Sequence, residues 1–183
     1  MSNGIISAWR PTPVRPPLTY RSLLADRGSL TRRLQEMSRE FRVEKVMQRL
    51  AQPARDERQQ LGLRRGELAL VREVVLYCDD LPVVFAHSVA ARKNLRGAWR
   101  GLKQQGNKPL GAALFANPRI ARTALKFRKL NAQHELYRRA KSRLPDIGLT
   151  QNLWARRSRF TLRGQPLLVT EIFLPGIAGL AKT

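Results

Sequence analysis

Three side chains in this sequence stand where strand patterns call for apolar residues, and their chemistry needs an explanation. Side chains alternate faces along an extended chain, so each β-rich run splits into two rows. Over residues 68–77 one row reads Leu68, Leu70, Arg72, Val74, Leu76 and the other Ala69, Val71, Glu73, Val75, Tyr77. Over residues 82–90 one row is Val83, Phe85, His87, Val89, and over residues 166–174 one row is Leu167, Val169, Glu171, Phe173. A guanidinium, an imidazole and a carboxylate each interrupt an otherwise apolar face.

A charge on a buried face is costly unless it is paired or meets a ligand. Two arrangements answer that cost. In one, Arg72 and Glu171 form a buried ion pair and His87 is a hydrogen-bonded core residue. In the other, the rows wall a closed, apolar pocket, with Arg72 offering its fork to a carboxylate and Glu171 at the far end, the make-up of pockets for small organic acids. Glu73 points the other way from Arg72, so it reaches that guanidinium only around the sheet edge.

The elements that position these residues follow from local signals. Residues 68–77 and 82–90 flank Cys78-Asp79-Asp80-Leu81, and residues 154–162 and 166–174 flank Arg163-Gly164-Gln165, so each pair reads as a β-hairpin. Residues 41–50 read as a further strand. Short helices are expected over 20–25, from a Ser29 cap to about Met37, over 97–105 and over 110–115. Residues 120–144 carry the strongest helical pattern, with Phe127, Leu130, His134, Tyr137, Ala140 and Leu144 on one face. Residues 51–65 are polar, contain Pro53 and read as a mobile loop. The prolines at 11, 13, 16 and 17 rule out helix, so residues 1–19 read as an extended arm and residues 20–183 as the domain. Hairpins with helices between them give an α+β fold, a single domain built on an antiparallel β-sheet with surrounding helices. In the last hairpin Arg157, Arg159 and Arg163 share a row opposite Trp154, Phe160 and Leu162, the pattern of an exposed sheet face.

Composition narrows the function classes. The 183 residues suit one domain with a real core. One cysteine and two histidines exclude a disulfide framework and leave little for a metal centre. No signal peptide or membrane span is legible, so the expected place is the cytoplasm. A net charge of +22 raises the question of nucleic acid, yet aromatics are only 7% and no zinc-finger or ribonucleoprotein motif is present. The charge therefore reads as a solvated surface, and no nucleic-acid partner is expected. No phosphate-binding glycine loop or nucleophile elbow occurs.

The segments Val71-Arg72-Glu73, Lys108-Pro109-Leu110-Gly111 with Leu114-Phe115, Ala155-Arg156-Arg157-Ser158-Arg159 and Pro166-Leu167-Leu168-Val169-Thr170-Glu171-Ile172-Phe173-Leu174-Pro175 resemble the chorismate pyruvate-lyase family, which opens ubiquinone biosynthesis in many bacteria. The likeness runs over about residues 20 to 176, and the last block is its most specific part. It implies an antiparallel sheet whose ligand is enclosed beneath flap loops, elimination of pyruvate from chorismate to leave 4-hydroxybenzoate, and no metal or organic cofactor. Carried over residue by residue, Arg72 binds the ring carboxylate, Leu110 contributes pocket contact and its backbone N–H, and Glu171 meets the ring hydroxyl end as the catalytic group. Leu30 takes the place of an apolar residue, often methionine, on the early flap, and His87 falls where some members carry arginine. The stretch from 116 to 152 is longer, and the chain more basic, than in short members.

The expected partner is thus the small molecule chorismate, bound by a monomer. A ligand-sensing module of the same fold is the second reading, although the helix-turn-helix domain that normally precedes such modules is missing from the first 60 or so residues. A basic nucleic-acid-binding protein is the third, and it leaves Arg72, His87 and Glu171 unexplained. Because the chain lacks a credible ligand set, turnover of chorismate is expected to survive exhaustive chelation. Loss of turnover on dialysis against a chelator, restored by one divalent ion, would show that expectation wrong.

Overall fold

The computed structural model describes residues 8–180; the start of the expected arm, residues 1–7, lies outside them. Seven strands form one sheet: β1 (Phe41–Ala51), β2 (Ala69–Cys78), β3 (Leu81–Ala91), β4 (Ala121–Arg122), β5 (Lys126–Asn131), β6 (Asn152–Leu162) and β7 (Gln165–Phe173). Their order is β1-β2-β3-β7-β6-β4, with β5 also on β6, and every pairing is antiparallel. The α+β antiparallel fold read from the sequence is therefore the fold of the chain. Both hairpins turn where expected. Asp79 and Asp80 at one tip, and Arg163 and Gly164 at the other, take positive φ, the backbone twist that a two-residue hairpin turn needs.

Helices cover both faces. α1 (Leu18–Ala25), α2 (Leu30–Glu36) and α4 (Leu110–Ala116) lie on what we call the front, and α3 (Arg55–Leu61) and α5 (Glu135–Arg143) on the back; α6 (Ile177–Leu180) closes the described chain. Each face carries two apolar clusters. At one end of the front, Leu24, Leu34, Val74 and Phe173 pack together, and at the other Leu70, Trp99, Leu114 and Phe160. On the back, Val75, Phe85, Tyr137 and Ile172 pack under α5, while Leu61, Val71, Val89 and Leu168 pack under α3. Between the two clusters of each face runs a polar strip. No helix among the described residues is long and apolar enough to cross a membrane.

Three local expectations are corrected. Residues 120–144 are not one helix but β4, β5 and α5. Phe127 and Leu130, three apart, share a helical face but take opposite faces of a strand, and each has a cluster waiting: Phe127 joins Val74 and Trp154, Leu130 joins Phe85 and Ile172. Pairing with the edge of β6 outweighs helical propensity here. Residues 51–65, read as a loop, hold α3. Glu57 Oε2 accepts from the Ala54 N–H at 3.0 Å, capping the helix, and Gly62 ends it at φ +63°. Residues 97–105 form a 3₁₀ turn (Arg100–Gln104), preceded by another at Arg92–Arg96, rather than an α-helix.

The back strip explains why a polar segment such as α3 docks. His87 lies between two buried carboxylates, Nε2 at 3.0 Å from Glu57 Oε1 and Nδ1 at 3.3 Å from Glu73 Oε1. Arg139 from α5 reaches Glu73 at 3.0 Å, and Arg143 stands 3.6 Å from it. Arg157 donates to Thr170 Oγ1 and pairs with Asp56 at 2.6 Å, with Glu57 3.6 Å away. Trp9 adds an indole N–H to Asp56 and lies under the Arg157 guanidinium. Opposite charges thus bolt α3, α5 and the chain near Trp9 to the sheet. Burial opposes the charge on His87, but Glu57 and Glu73 more than offset it and raise its pKa to about 9. Burial likewise opposes the charge on Glu57, which His87 and Arg157 hold down at about 2.

These shifts set a pH window. His87's raised pKa contributes stability that is complete below its ordinary 6.5 and fades as pH rises through about 9. Glu57's depressed pKa contributes stability that is complete above its ordinary 4.5 and fades as pH falls through about 2. The melting temperature is therefore expected to plateau between about pH 4.5 and 6.5 and to decline towards pH 9. His87→Gln should lose that alkaline slope, as read by thermal unfolding at stepped pH. A parent and variant with parallel profiles from pH 6.5 to 9 would remove His87 from the account.

Candidate active site

The front strip forms the floor of a chamber. Strand alternation sends Arg72 of β2, Ala86 and Ser88 of β3, Val169 and Glu171 of β7, and Ser158 and Phe160 of β6 to this face. Leu30 and Thr31 of α2, and Leu110, Gly111 and Leu114 of α4, cover it. The two covering helices approach closely. A Cβ on Gly111 would meet Thr31 Oγ1 at 2.9 Å, so the Lys108-Pro109-Leu110-Gly111 segment needs its glycine to let α4 lie against α2.

Arg72 is 2% exposed. Its Nη2 donates to the carbonyls of Gly106 at 2.9 Å and Lys108 at 3.1 Å, while its Nε is buried without a partner. Among the described residues no carboxylate offsets its charge, and burial alone lowers its pKa, to about 10. It remains a cation at neutral pH, in an apolar site, with hydrogen-bonding capacity unused. The hydrogen bonds it does make fix the loop that delivers α4. Leu110 opens that helix, so its N–H has no intrahelical acceptor.

Glu171 is not Arg72's partner. Its Oε2 accepts from Nε of Arg156 at 2.5 Å, in a pair where the arginine is fully buried and the carboxylate side chain 19% exposed. Arg156 also donates from Nη1 to the carbonyls of Leu23 and Asp26, both at 2.7 Å, which secures the C-terminal end of α1. Glu171 therefore faces a guanidinium directly, within an otherwise largely apolar wall.

The sequence-based candidates divide cleanly. Arg72, Leu30, Leu110 and Glu171 all line the chamber. His87 does not: it faces the back, in the carboxylate pocket described above. The physical reason is register, since Arg72 pairs with Ser88 and Glu73 with His87, so the histidine shares Glu73's face. Sequence reasoning missed Arg156 and Arg122, and read Arg157 as exposed when it is buried. For Arg156 a signal existed. It falls on the Trp154, Ser158, Phe160 row, and a cation on a buried row needs a carboxylate, which the paired strand supplies at Glu171.

A family model described as Chorismate lyase matches residues 6–180. A curated protein of Nitrosospira multiformis named "Probable chorismate pyruvate-lyase" is 53% identical over 182 residues, covering 99% of this chain and 100% of its own. One of the same name from Nitrosomonas europaea is 51% identical over 173 residues, covering 94% and 96%. Among solved structures, a GntR-family transcriptional regulator from Bacillus cereus superposes with a TM-score of 0.55 at 10% identity, over 74% of this chain and 92% of that one. The effector domain of PhnF from Mycobacterium smegmatis gives 0.53 at 14% identity, over 81% and 89%. At such identities these two share the fold alone.

Removing Arg156 leaves Glu171 without its partner and α1 without its anchor. Arg156→Met is expected to cost about 3 kcal/mol, the scale for breaking a buried pair from one side, in urea unfolding at neutral pH. Adding Glu171→Gln should recover part of that loss, because the stranded charge goes with it. Additive losses in the double variant would show that the pair contributes nothing as a pair.

Proposed function

The chain belongs to the chorismate lyase family, and we propose that the front chamber is where it eliminates pyruvate from chorismate to give 4-hydroxybenzoate. The observation that carries this reading is Arg72: a buried cation with an unused Nε and, among the described residues, no carboxylate of its own, on the floor of an apolar chamber. A planar ring carboxylate fits that fork, and Leu110's N–H lies on the covering helix beside it. Leu30 packs over the ring from α2. Glu171, at the other end, takes the ring hydroxyl and so fixes the carbon that bears it.

The reaction breaks the bond between the ring and the enolpyruvyl oxygen. The hydrogen on the hydroxyl-bearing ring carbon leaves as a proton, the ring becomes aromatic, and the enolpyruvyl group takes up a proton at its methylene to become pyruvate. Aromatisation supplies the drive, so the protein's task is to orient the ring, exclude water and hold one carboxylate at the carbon that loses its proton. Glu171, held by Arg156, is placed for that last role. We take the acting unit to be a monomer. We place the protein in the cytoplasm, as suits the family it belongs to. We assign the product to ubiquinone biosynthesis on the family's general role.

Purified protein incubated with chorismate should release 4-hydroxybenzoate and pyruvate in equal amounts. Arg72→Ala should stay folded and lose most affinity for 4-hydroxybenzoate, and Arg72→Lys should recover little, because an ammonium cannot make the planar fork. Glu171→Gln should lower kcat by about 100-fold, the usual scale for losing a general base, with a smaller effect on product affinity. A sensor of the same fold would bind 4-hydroxybenzoate and turn over nothing. Absence of turnover in the parent therefore rejects the lyase, and parental turnover in Glu171→Gln removes that carboxylate from the mechanism.

A further inference from the structure

Chorismate carries two carboxylates, one on the ring and one on the enolpyruvyl group, and Arg72 meets only the first. The geometry points to Arg122 as the receptor of the second, an inference that rests on the lyase reading of the chamber.

Arg122 comes from the short strand β4, paired across to Phe160, and it lines the chamber on the side of Glu171. Its Nε donates to Ser158 Oγ at 2.9 Å. Its Nη1 donates to the carbonyls of Arg27 and Gly28, in the link between α1 and α2. All of these acceptors are neutral. Glu171 and Asp26 are near enough to favour its charge and Arg156 near enough to oppose it, but no carboxylate among the described residues pairs with it, and burial lowers its pKa. The Phe115 and Phe160 rings lie 5.1 and 5.3 Å from its guanidinium carbon, within reach of cation–π attraction.

The charge balance of the chamber supports the assignment. Three guanidinia, Arg72, Arg122 and Arg156, stand against one carboxylate, Glu171, leaving two positive charges for a dianion. Arg156 is consumed by Glu171, so Arg72 and Arg122 are the two that remain. They lie on different strands, with the Ser88, Val169 and Ser158 row between their attachment points. A ligand whose carboxylates sit at separate positions of one rigid ring reaches both, whereas 4-hydroxybenzoate reaches only Arg72. Arg122 would thus discriminate substrate from product.

The test compares two ligands in two variants. With Arg122→Gln, KM for chorismate should rise about 10- to 100-fold, the scale for losing a charge-assisted hydrogen bond, while the Kd of 4-hydroxybenzoate, read by tryptophan fluorescence, stays within about twofold of the parent. Inhibition by added pyruvate should weaken in parallel with the rise in KM. Arg122→Lys should recover part of the loss, since it keeps the charge but not the fork. Equal weakening of both ligands would overturn the inference and make Arg122 a strut for the α1–α2 link. An unchanged KM would overturn it as well. Because the parent is assayed alongside, a parent that does not consume chorismate marks the failure of the lyase reading itself.

Discussion

The whole molecule depends on how the pleat of one sheet distributes charge that has been taken out of water. Four adjacent polar pairs lie side by side across its central strands: Arg72-Glu73, His87-Ser88, Thr170-Glu171 and Arg156-Arg157. Alternation splits every pair. Arg72, Ser88, Glu171 and Arg156 go to the front, and Glu73, His87, Thr170 and Arg157 to the back. A polar belt at one level of an otherwise apolar sheet is tolerable only if each face settles its own charge. The two faces settle it differently. On the back, helices bring Asp56, Glu57, Arg139 and Arg143 to meet the strand charges, and the result is a clamp. On the front, the helices that arrive are mostly apolar at the contact, and among the described residues two guanidinia are left without a carboxylate.

That difference couples binding to the covering segments. Each front guanidinium also holds backbone carbonyls of the cover: Arg72 those of Gly106 and Lys108, Arg156 those of Leu23 and Asp26, Arg122 those of Arg27 and Gly28. An anion that neutralises one of these cations acts on the same group that fixes the cover. The cover and the charged floor of the chamber thus meet at the same guanidinia. Register between β2, β3, β7 and β6 decides where every front side chain points, and the back clamp ties α3 and α5 to those same strands.

Much of this was legible from local patterns. Short polar connections between β-rich runs mark the hairpins, and alternation exposes Arg72 and Glu171 as charges on an inward row. What was not legible depended on partners distant in sequence. Nothing within residues 120–144 says that β6 presents an unpaired edge, so Phe127 and Leu130 matched a helix as well as they match two faces of a strand. Nothing within residues 51–65 says that Asp56 and Glu57 will meet Arg157 and His87 from strands far along the chain. His87 was assigned a row correctly, but its face relative to Arg72 is fixed by the pairing of Arg72 with Ser88, which only the register supplies. Arg156 was hidden by its neighbours: in a cluster of three arginines around one serine, composition suggests solvent, while alternation puts the first of them beneath α1.

A sheet shared by regulators and by this family places the distinction between sensing and catalysis in the chamber, not in the fold. Affinity needs only that charges be matched; catalysis needs contacts that strengthen as the bond breaks. When the ring–oxygen bond of an enolpyruvyl ether opens, negative charge grows on that oxygen, and a fixed cation in a site shielded from water stabilises it without reorganising. Arg122 and Arg156 flank Glu171 at that end of the chamber, and both are already held in place by backbone carbonyls before any ligand arrives. The other arginines and lysines among the chain's 35 basic residues are mostly solvated, where charges separated by more than about 8 Å are screened at physiological salt. A surface so basic can draw a dianion towards the protein, but the discrimination between a dianion and its product belongs to the few guanidinia that line the chamber.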